Sequence, residues 1–404
     1  MRPPFRAEQI GSLLRPQELL DVRSSSGQNA SYVEKTPEEV DLLTQKAIAS
    51  VVQKQLAHSI RPITSGEYER HIFYSGFFER LQGFQVFPNI PMPGGFRSNL
   101  PTVTTLLRKG VRTRPGVIAV DKIRLLDSPY LREWEYLRSL LPPEKWRECK
   151  LTIPSITWQH MHLAQNTAYH PSAYSSDREY FTDLAQAYRK EFQTLYDAGL
   201  RSIQIDDPAL TFFLTNEFRS GCETDGVNPD ELLDLYLWAH NLCLSQRPAD
   251  LHVGIHLCRG NMPRSTHVVT GSYEPIAQLL FTRLGYDTFY LEYESDRAGG
   301  FRPLRHLPVG KNVVLGVVST KSPELETLEN LTGRVLEAAD IIAQGQGRSR
   351  GEVLQTALGV SPQCGFSSVS EGGGEEMTVE RMWEKLELVR DLAGKLWAEG
   401  HVDV

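Results

Sequence analysis

Along the chain, short apolar runs end in polar, glycine or proline positions, and most are followed by longer stretches with apolar residues at helical spacing. The runs are QIGS (9–12), RPITSGE (61–67), KLTIPS (150–155), RSIQIDD (201–207), LHVGIHLC (251–258), DTFYLEYE (287–294), NVVLGVVS (312–319) and ALGVSPQCG (357–365). Between them, PEEVDLLTQKAIASVVQKQLA reads as a helix, and YFTDLAQAYRKEFQTLYDAG reads as one ending on Gly199. A third, SPELETLENLTGRVLEAADII, is predicted to open with Ser322 as its cap and Pro323 in its first turn. Eight alternating units predict an α/β chain folded as one (β/α)8 TIM barrel over residues 1–404. The stretch from about 80 to 149 breaks the alternation. Within it, NLPTVTTLLRKGVRTRPGVIAVDKIRL reads as an antiparallel hairpin with a basic turn, inserted after the second strand. A doubly wound sheet is the alternative, but no early glycine-rich phosphate turn supports it.

In a barrel, chemistry gathers at the C-terminal ends of the strands. Here those ends carry Ser12, Glu67, Ser155, Asp206 with Asp207, His256 with Cys258, Glu292, Ser319 and Cys364. Side chains alternate along a strand, so His256 and Cys258 share a face with Gly254, opposite Val253, Ile255 and Leu257. The same rule turns Tyr290, Glu292 and Glu294 inward. Two cysteines, a histidine and an inward glutamate make a zinc set. A lone His-x-Cys is more often structural, but Cys364 and a glutamate at other strand ends shift the reading to metal. Ligands drawn from three distant segments suit catalysis better than a structural site, which more commonly uses close Cys-x-x-Cys pairs. Two thiolates and a carboxylate around a dication leave a net charge near −1, which keeps a bound thiolate nucleophilic and favours thiol alkylation over hydrolysis.

Composition narrows the class. A hydrophobic share of 40%, a charged share of 23% and a net charge of −7 are those of a soluble protein and speak against a general nucleic-acid binder. No apolar run approaches a membrane span, and the N-terminus has no secretory apolar core, so a reducing, cytoplasmic setting is expected. Five cysteines do not suggest a disulfide framework, and Cys243, inside LLDLYLWAHNLCL, reads as an inert core residue. The one low-complexity tract is EGGGEE near residue 373.

The chain resembles the cobalamin-independent methionine synthase superfamily, in its C-terminal catalytic barrel and its short single-barrel relatives. The resemblance runs from about residue 6 to residue 390 and rests on IGSLLRP, SGEYER, QIDDPAL, HLCRGN, LEYESDRAG, LGVVSTKSPELE and SPQCG. It implies a Zn2+ ion on His256, Cys258, Glu292 and Cys364. It also implies a homocysteine-like thiol held by Ser12 at its carboxylate and by Glu67 and Asp206 at its amino group, with Ser155 and Trp158 lining the substrate site. The implied reaction moves a methyl group to that thiol, with methyl-folate as the leading donor. The partners are therefore small molecules, with neither nucleic acid nor membrane. Three features depart from the pattern. The second, N-terminal barrel of full-length methionine synthases has no counterpart here. A proton-transferring histidine of the family is matched by Lys321, which inherits a catalytic assignment beside Asp206 and Glu67. A glutamate associated with folate is matched by Phe212. Other readings are an alkyltransferase of the epoxyalkane:coenzyme M type, a non-catalytic zinc-binding barrel, and a decarboxylase like uroporphyrinogen decarboxylase, which would leave the cysteines unexplained.

Overall fold

The computed structural model describes residues 4–28, 30–32, 36–370, 372 and 374–397. Residues 371 and 373 of the glycine-rich tract lie outside the described residues. The first two regular strands, β1 (Gln82–Pro91) and β2 (Thr113–Arg124), form an antiparallel pair. The six that follow are β3 (Leu151–Pro154), β4 (Ser202–Asp206), β5 (His252–Leu257), β6 (Thr288–Glu292), β7 (Asn312–Val318) and β8 (Leu358–Pro362). They make one parallel sheet in chain order, every strand but the first residue of β5 buried along its whole length. Burial on both faces is what a parallel sheet covered by crossover helices requires. Register carries the site: Asp206 lies opposite His256 across β4 and β5, and His256 lies opposite Tyr290 across β5 and β6.

The first two apolar runs take the two sheet edges without becoming regular strands. Ala7 bridges Val360 and Ile63 bridges Cys149, each in parallel. The segments meet through Leu13 N–H to the Gly66 carbonyl at 3.1 Å and Thr64 Oγ1 to the Gly11 carbonyl at 2.8 Å. The two segments thus extend the six-stranded sheet at both edges in the order expected of an eight-unit β/α barrel, through single bridges rather than a regular ladder. The cause is local. Gly11, Gly66 and Glu67 all have positive φ. Thr64 and Ser65 hydroxyls also accept the Gly66 and Glu67 amides, which competes with strand pairing.

Two sequence expectations need correcting. Residues 101–108 form a helix rather than the first arm of a hairpin, and β2 pairs upstream with β1. Pro101 sits at the helix start, and Val103, Leu106 and Leu107 repeat at helical spacing. The helix expected to start at Ser322 is Leu328–Gln346, capped by Thr327. Residues 319–327 are instead a loop pinned by Glu326, which accepts the Ser319 amide at 2.7 Å and the Lys385 ammonium at 3.0 Å. The helix Asp177–Asp197 ends as expected, with Gly199 just beyond it at φ +99°. Cys243 is buried in the helix Pro229–Leu244, where desolvation raises its thiol pKa.

Two apolar cores result. Val253, Ile255 and Leu257 join the large outer core under the helices, whereas Ile10, Tyr290 and Val314 cluster separately inside the ring. Lys150 and Glu8 pair at 2.9 Å beneath the ring cluster, with the ammonium 4.4 Å from the Tyr290 ring centroid. Gly254 faces the same space. A Cβ there would meet Tyr290 Cε2 at 2.5 Å. Gly254→Ala is therefore expected to lower stability by about 1–3 kcal/mol through overpacking, measured by urea unfolding. An unchanged midpoint would show that Tyr290 moves freely.

Candidate active site

The ends of β5, β6 and β8 bring four side chains together. One ligand atom from each of His256, Cys258, Glu292 and Cys364 lies within 4.8 Å of every other, and all four residues are buried. The Cys258 and Cys364 sulfurs are 3.6 Å apart. A disulfide would hold them at ~2.0 Å, whereas two thiolates on one tetrahedral zinc sit about 3.8 Å apart. The His256 Nδ1 lies 3.3 Å from the Tyr290 carbonyl, and its buried Nε2 has no partner. With the proton on Nδ1, the Nε2 lone pair is directed at the cluster. Donor types, spacing and the orphaned nitrogen all fit a zinc ion. The hydrogen bond from Cys258 holds the Cys364 thiol well below its usual pKa, aided by His256 and Lys321.

A layer of positioning groups surrounds the set, and sequence reasoning missed it. Glu292 Oε1 accepts the Arg259 amide at 2.6 Å, and its Oε2 pairs with Arg297. Arg297 also holds Glu294 at 2.7 Å, so the second inward glutamate is committed to that ion pair. The Tyr273 hydroxyl accepts the Glu292 amide at 3.1 Å and donates to the Leu257 carbonyl at 3.2 Å, tying β6 to β5. The only sequence signal was the i, i+3 spacing of Glu294 and Arg297. Arg297→Met is expected to weaken zinc retention about 10- to 100-fold in a chelator competition, the usual cost of losing a ligand's own partner. Retention equal to the parent protein would show that Arg297 has no such role.

The cluster opens onto a cavity of about 360 Å³. Ser12, Glu67, Trp158, Asp206, His256, Cys258 and Cys364 all line it. Thus seven of the residues singled out in the sequence, from six separated segments, converge on one cavity. Glu67 Oε1 accepts the Thr152 hydroxyl at 2.8 Å, while its buried Oε2 has no partner. Glu67 sits at φ +59°, a conformation that costs a non-glycine residue ~1 kcal/mol or more and is tolerated at sites the surroundings hold firmly. Burial raises the Asp206 pKa to about 7, with the neighbouring Glu67 charge adding to the effect. Two acidic groups on one wall, one with an unfilled oxygen, are a combination chemically suited to a cation. Ser12 reaches this wall because Gly11 has φ +141° and no side chain. A Cβ there would meet Thr152 at 2.7 Å and Glu67 Oε1 at 2.9 Å.

Two assigned residues do not line the cavity. Ser155 is fully buried and donates its hydroxyl to Asp207, which also accepts from Thr157 at 3.0 Å and lies 3.0 Å from His240. The serine braces the end of β4. Lys321 is buried within electrostatic reach of the four-residue cluster but off the cavity. Its ammonium donates to the Thr266 carbonyl at 3.2 Å, and burial lowers its pKa while Cys364, Glu292 and Cys258 raise it. Phe212 is buried core rather than cavity wall. Trp158 is already in ring contact with Phe73, Tyr74 and His162.

A family model described as the catalytic domain of cobalamin-independent synthase matches residues 157–387. Bacillus subtilis YxjG, described as an uncharacterized protein, is 32% identical over 398 residues, covering 98% of this chain and 96% of that one. A solved structure from Listeria monocytogenes, described as a candidate vitamin-B12-independent methionine synthase, is 26% identical with a TM-score of 0.70. It covers 99% of this chain and 100% of its own. The 5-methyltetrahydropteroyltriglutamate–homocysteine methyltransferase of Bacillus velezensis is 24% identical over 308 residues, which are 76% of this chain and 33% of that protein.

Proposed function

Because the chain belongs to the cobalamin-independent methionine synthase family through its catalytic domain, we propose that it methylates the thiol of a homocysteine-like amino acid at a zinc centre. The supporting observation is the juxtaposition of a four-ligand cluster with a two-carboxylate wall on one cavity. When bound to His256, Cys258, Glu292 and Cys364, zinc supplies the acidity that makes an incoming thiol a thiolate.

The chain's own residues do the rest. Glu67 and Asp206 hold the substrate ammonium, and Ser12 receives its carboxylate. This pins the amino acid so that its thiol falls near Cys258 and Cys364. The mainly apolar cavity excludes water from the sulfur. Lys321, within electrostatic reach of Cys364, Glu292 and Cys258, offsets the negative charge of the cluster and so bears on how readily the thiol proton is lost. Lys321→Met is accordingly expected to shift the pH profile of turnover while leaving homocysteine binding within about 2-fold, the reading for a group tied to proton movement rather than to substrate affinity. An unaltered pH profile would remove Lys321 from the mechanism.

The deciding experiment incubates the zinc-loaded protein with homocysteine and mono- or polyglutamyl methyl-folates, then follows methionine by mass spectrometry. Methionine formation that is lost in Cys364→Ser supports the proposal. Failure of homocysteine to bind overturns it. A second reading keeps the thiol and changes the donor, and the character of the cavity's other wall favours it.

A further inference from the structure

The cavity wall opposite in chemistry to Glu67 and Asp206 belongs to the insertion. Thr102 and Leu106 come from its helix Pro101–Arg108, Val111 from the turn that follows, and Thr113, Arg114 and Pro115 from the start of β2. This wall is held over the barrel at defined points. The Val117 amide donates to Gln159 Oε1 at 3.2 Å, and Lys109 Nζ donates to Thr266 Oγ1 at 3.0 Å.

Arg114 is the anomaly. Among the described residues its guanidinium has no carboxylate and no hydrogen-bond acceptor, and its Nη1 is buried without a partner. The guanidinium stands 5.6 Å from the centroid of the Trp158 ring, with the His162 and Tyr32 side chains within electrostatic reach. Thr102 Oγ1, on the same wall, is likewise buried and unpartnered. A half-buried guanidinium with one buried, unpartnered nitrogen, on the same cavity wall as a spare hydroxyl, leaves polar groups that a bound ligand would complete. The surrounding wall is apolar, built from Phe73, Tyr74, Leu106, Val111 and Val268.

Resting on the proposed thiol chemistry, we propose that Arg114 and Thr102 form the head-group subsite for the alkyl donor, which is a small molecule with a short apolar body and one anionic end. Size supports the smallness. The cavity of about 360 Å³ must take the amino-acid thiol and the donor together. That volume is near the lower end of the ~300–1,000 Å³ that bury a single drug-sized ligand, the class to which a folate belongs. Charge supports the polarity. The acidic pair repels an anion, so the ammonium-bearing thiol and the anionic donor are sorted to different parts of the one cavity. The donor must also carry a heteroatom leaving group on its alkyl carbon, and transfer then forms the sulfur–carbon bond of the product and breaks that carbon–heteroatom bond. The bonding pair leaves with the donor's anionic remainder, and the thiol proton is released.

Binding tests this without relying on turnover. The zinc-loaded protein is titrated with hexanoate, hexanol and hexylammonium by ligand-observed NMR, and separately with homocysteine. Hexanoate is expected to bind about 10-fold or more tightly than the other two, from one charge-assisted contact in an apolar setting. Arg114→Gln should abolish that preference, and Thr102→Val should weaken it, with homocysteine binding unchanged in both as proof of an intact fold. Equal binding of the three probes, or a hexanoate affinity that survives Arg114→Gln, overturns the subsite. So does hexanoate binding that disappears in Cys258→Ser, because the carboxylate would then be on the metal. The homocysteine titration reports on the thiol reading alone, so the two proposals fail separately.

Discussion

Replacing Cys258 or Cys364 with serine is expected to strip nearly all bound zinc and to lower thiol-alkylating turnover by at least ~10³-fold, beyond the 10- to 100-fold cost of losing a ligand's supporting partner. Each sulfur is a ligand in the proposed zinc site, and nothing in its surroundings would replace it. The nearest other sulfur is the partner cysteine at 3.6 Å, and Glu292 is already committed on both oxygens to Arg259 and Arg297. A serine oxygen is a poor thiolate substitute for zinc. The measurement is metal content by mass spectrometry, together with X-ray absorption of the parent protein. One zinc per chain with two sulfur neighbours is the expected result. A zinc shell without sulfur would dismiss the assigned ligands, and full activity in either serine variant would dismiss zinc chemistry altogether.

The second large effect falls on the acidic wall. Asp206→Asn and Glu67→Gln should each weaken homocysteine binding by roughly 1.5–3 kcal/mol, the value of a charge-assisted contact, while zinc content stays the same. The pH dependence follows from the raised Asp206 pKa of about 7. Above that value the carboxylate is charged and attracts the substrate ammonium. As pH falls through it, the group takes up a proton and the attraction is lost, so the affinity for homocysteine should drop between pH 8 and 6. Calorimetric titration across that range measures it. The drop should be absent in Asp206→Asn. A thiol lacking an amino group, such as 2-mercaptoethanesulfonate, should not show it either. Identical pH dependence in parent and variant would place the titration elsewhere.

The metal set was legible because strand periodicity is a local rule. His256 and Cys258 share a face whatever the rest of the chain does, and the apolar neighbours Val253, Ile255 and Leu257 state which face is outward. Choosing Glu292 over Glu294 needed more than periodicity, since both lie on the inward face. The family resemblance pointed to Glu292, and Glu292 is the one that lies with His256, Cys258 and Cys364, while Arg297 pairs with both glutamates. Ser155 read as a strand-end hydroxyl like Ser12, yet the two serve different ends. The difference lies in what stands beside them, Asp207 for one and the open cavity for the other.

The insertion was the least legible part. A helix of eight residues and a strand that pairs with a segment more than twenty residues upstream leave an ambiguous pattern, because turn chemistry near residue 110 fits both a hairpin and a helix end. Sequence by itself determined the number and order of β/α units, the strand-end positions of the reactive residues and the inward face of β5 and β6, since all of these follow from local periodicity and side-chain alternation. Only the tertiary structure decided that the first two units would sit at the sheet edges through single bridges, that Glu67 and Asp206 would share a wall, and that Arg114 would stand unpaired above the cavity. Those facts depend on which distant backbone fills the space around a charge, and burial, unlike periodicity, is a property of the whole fold.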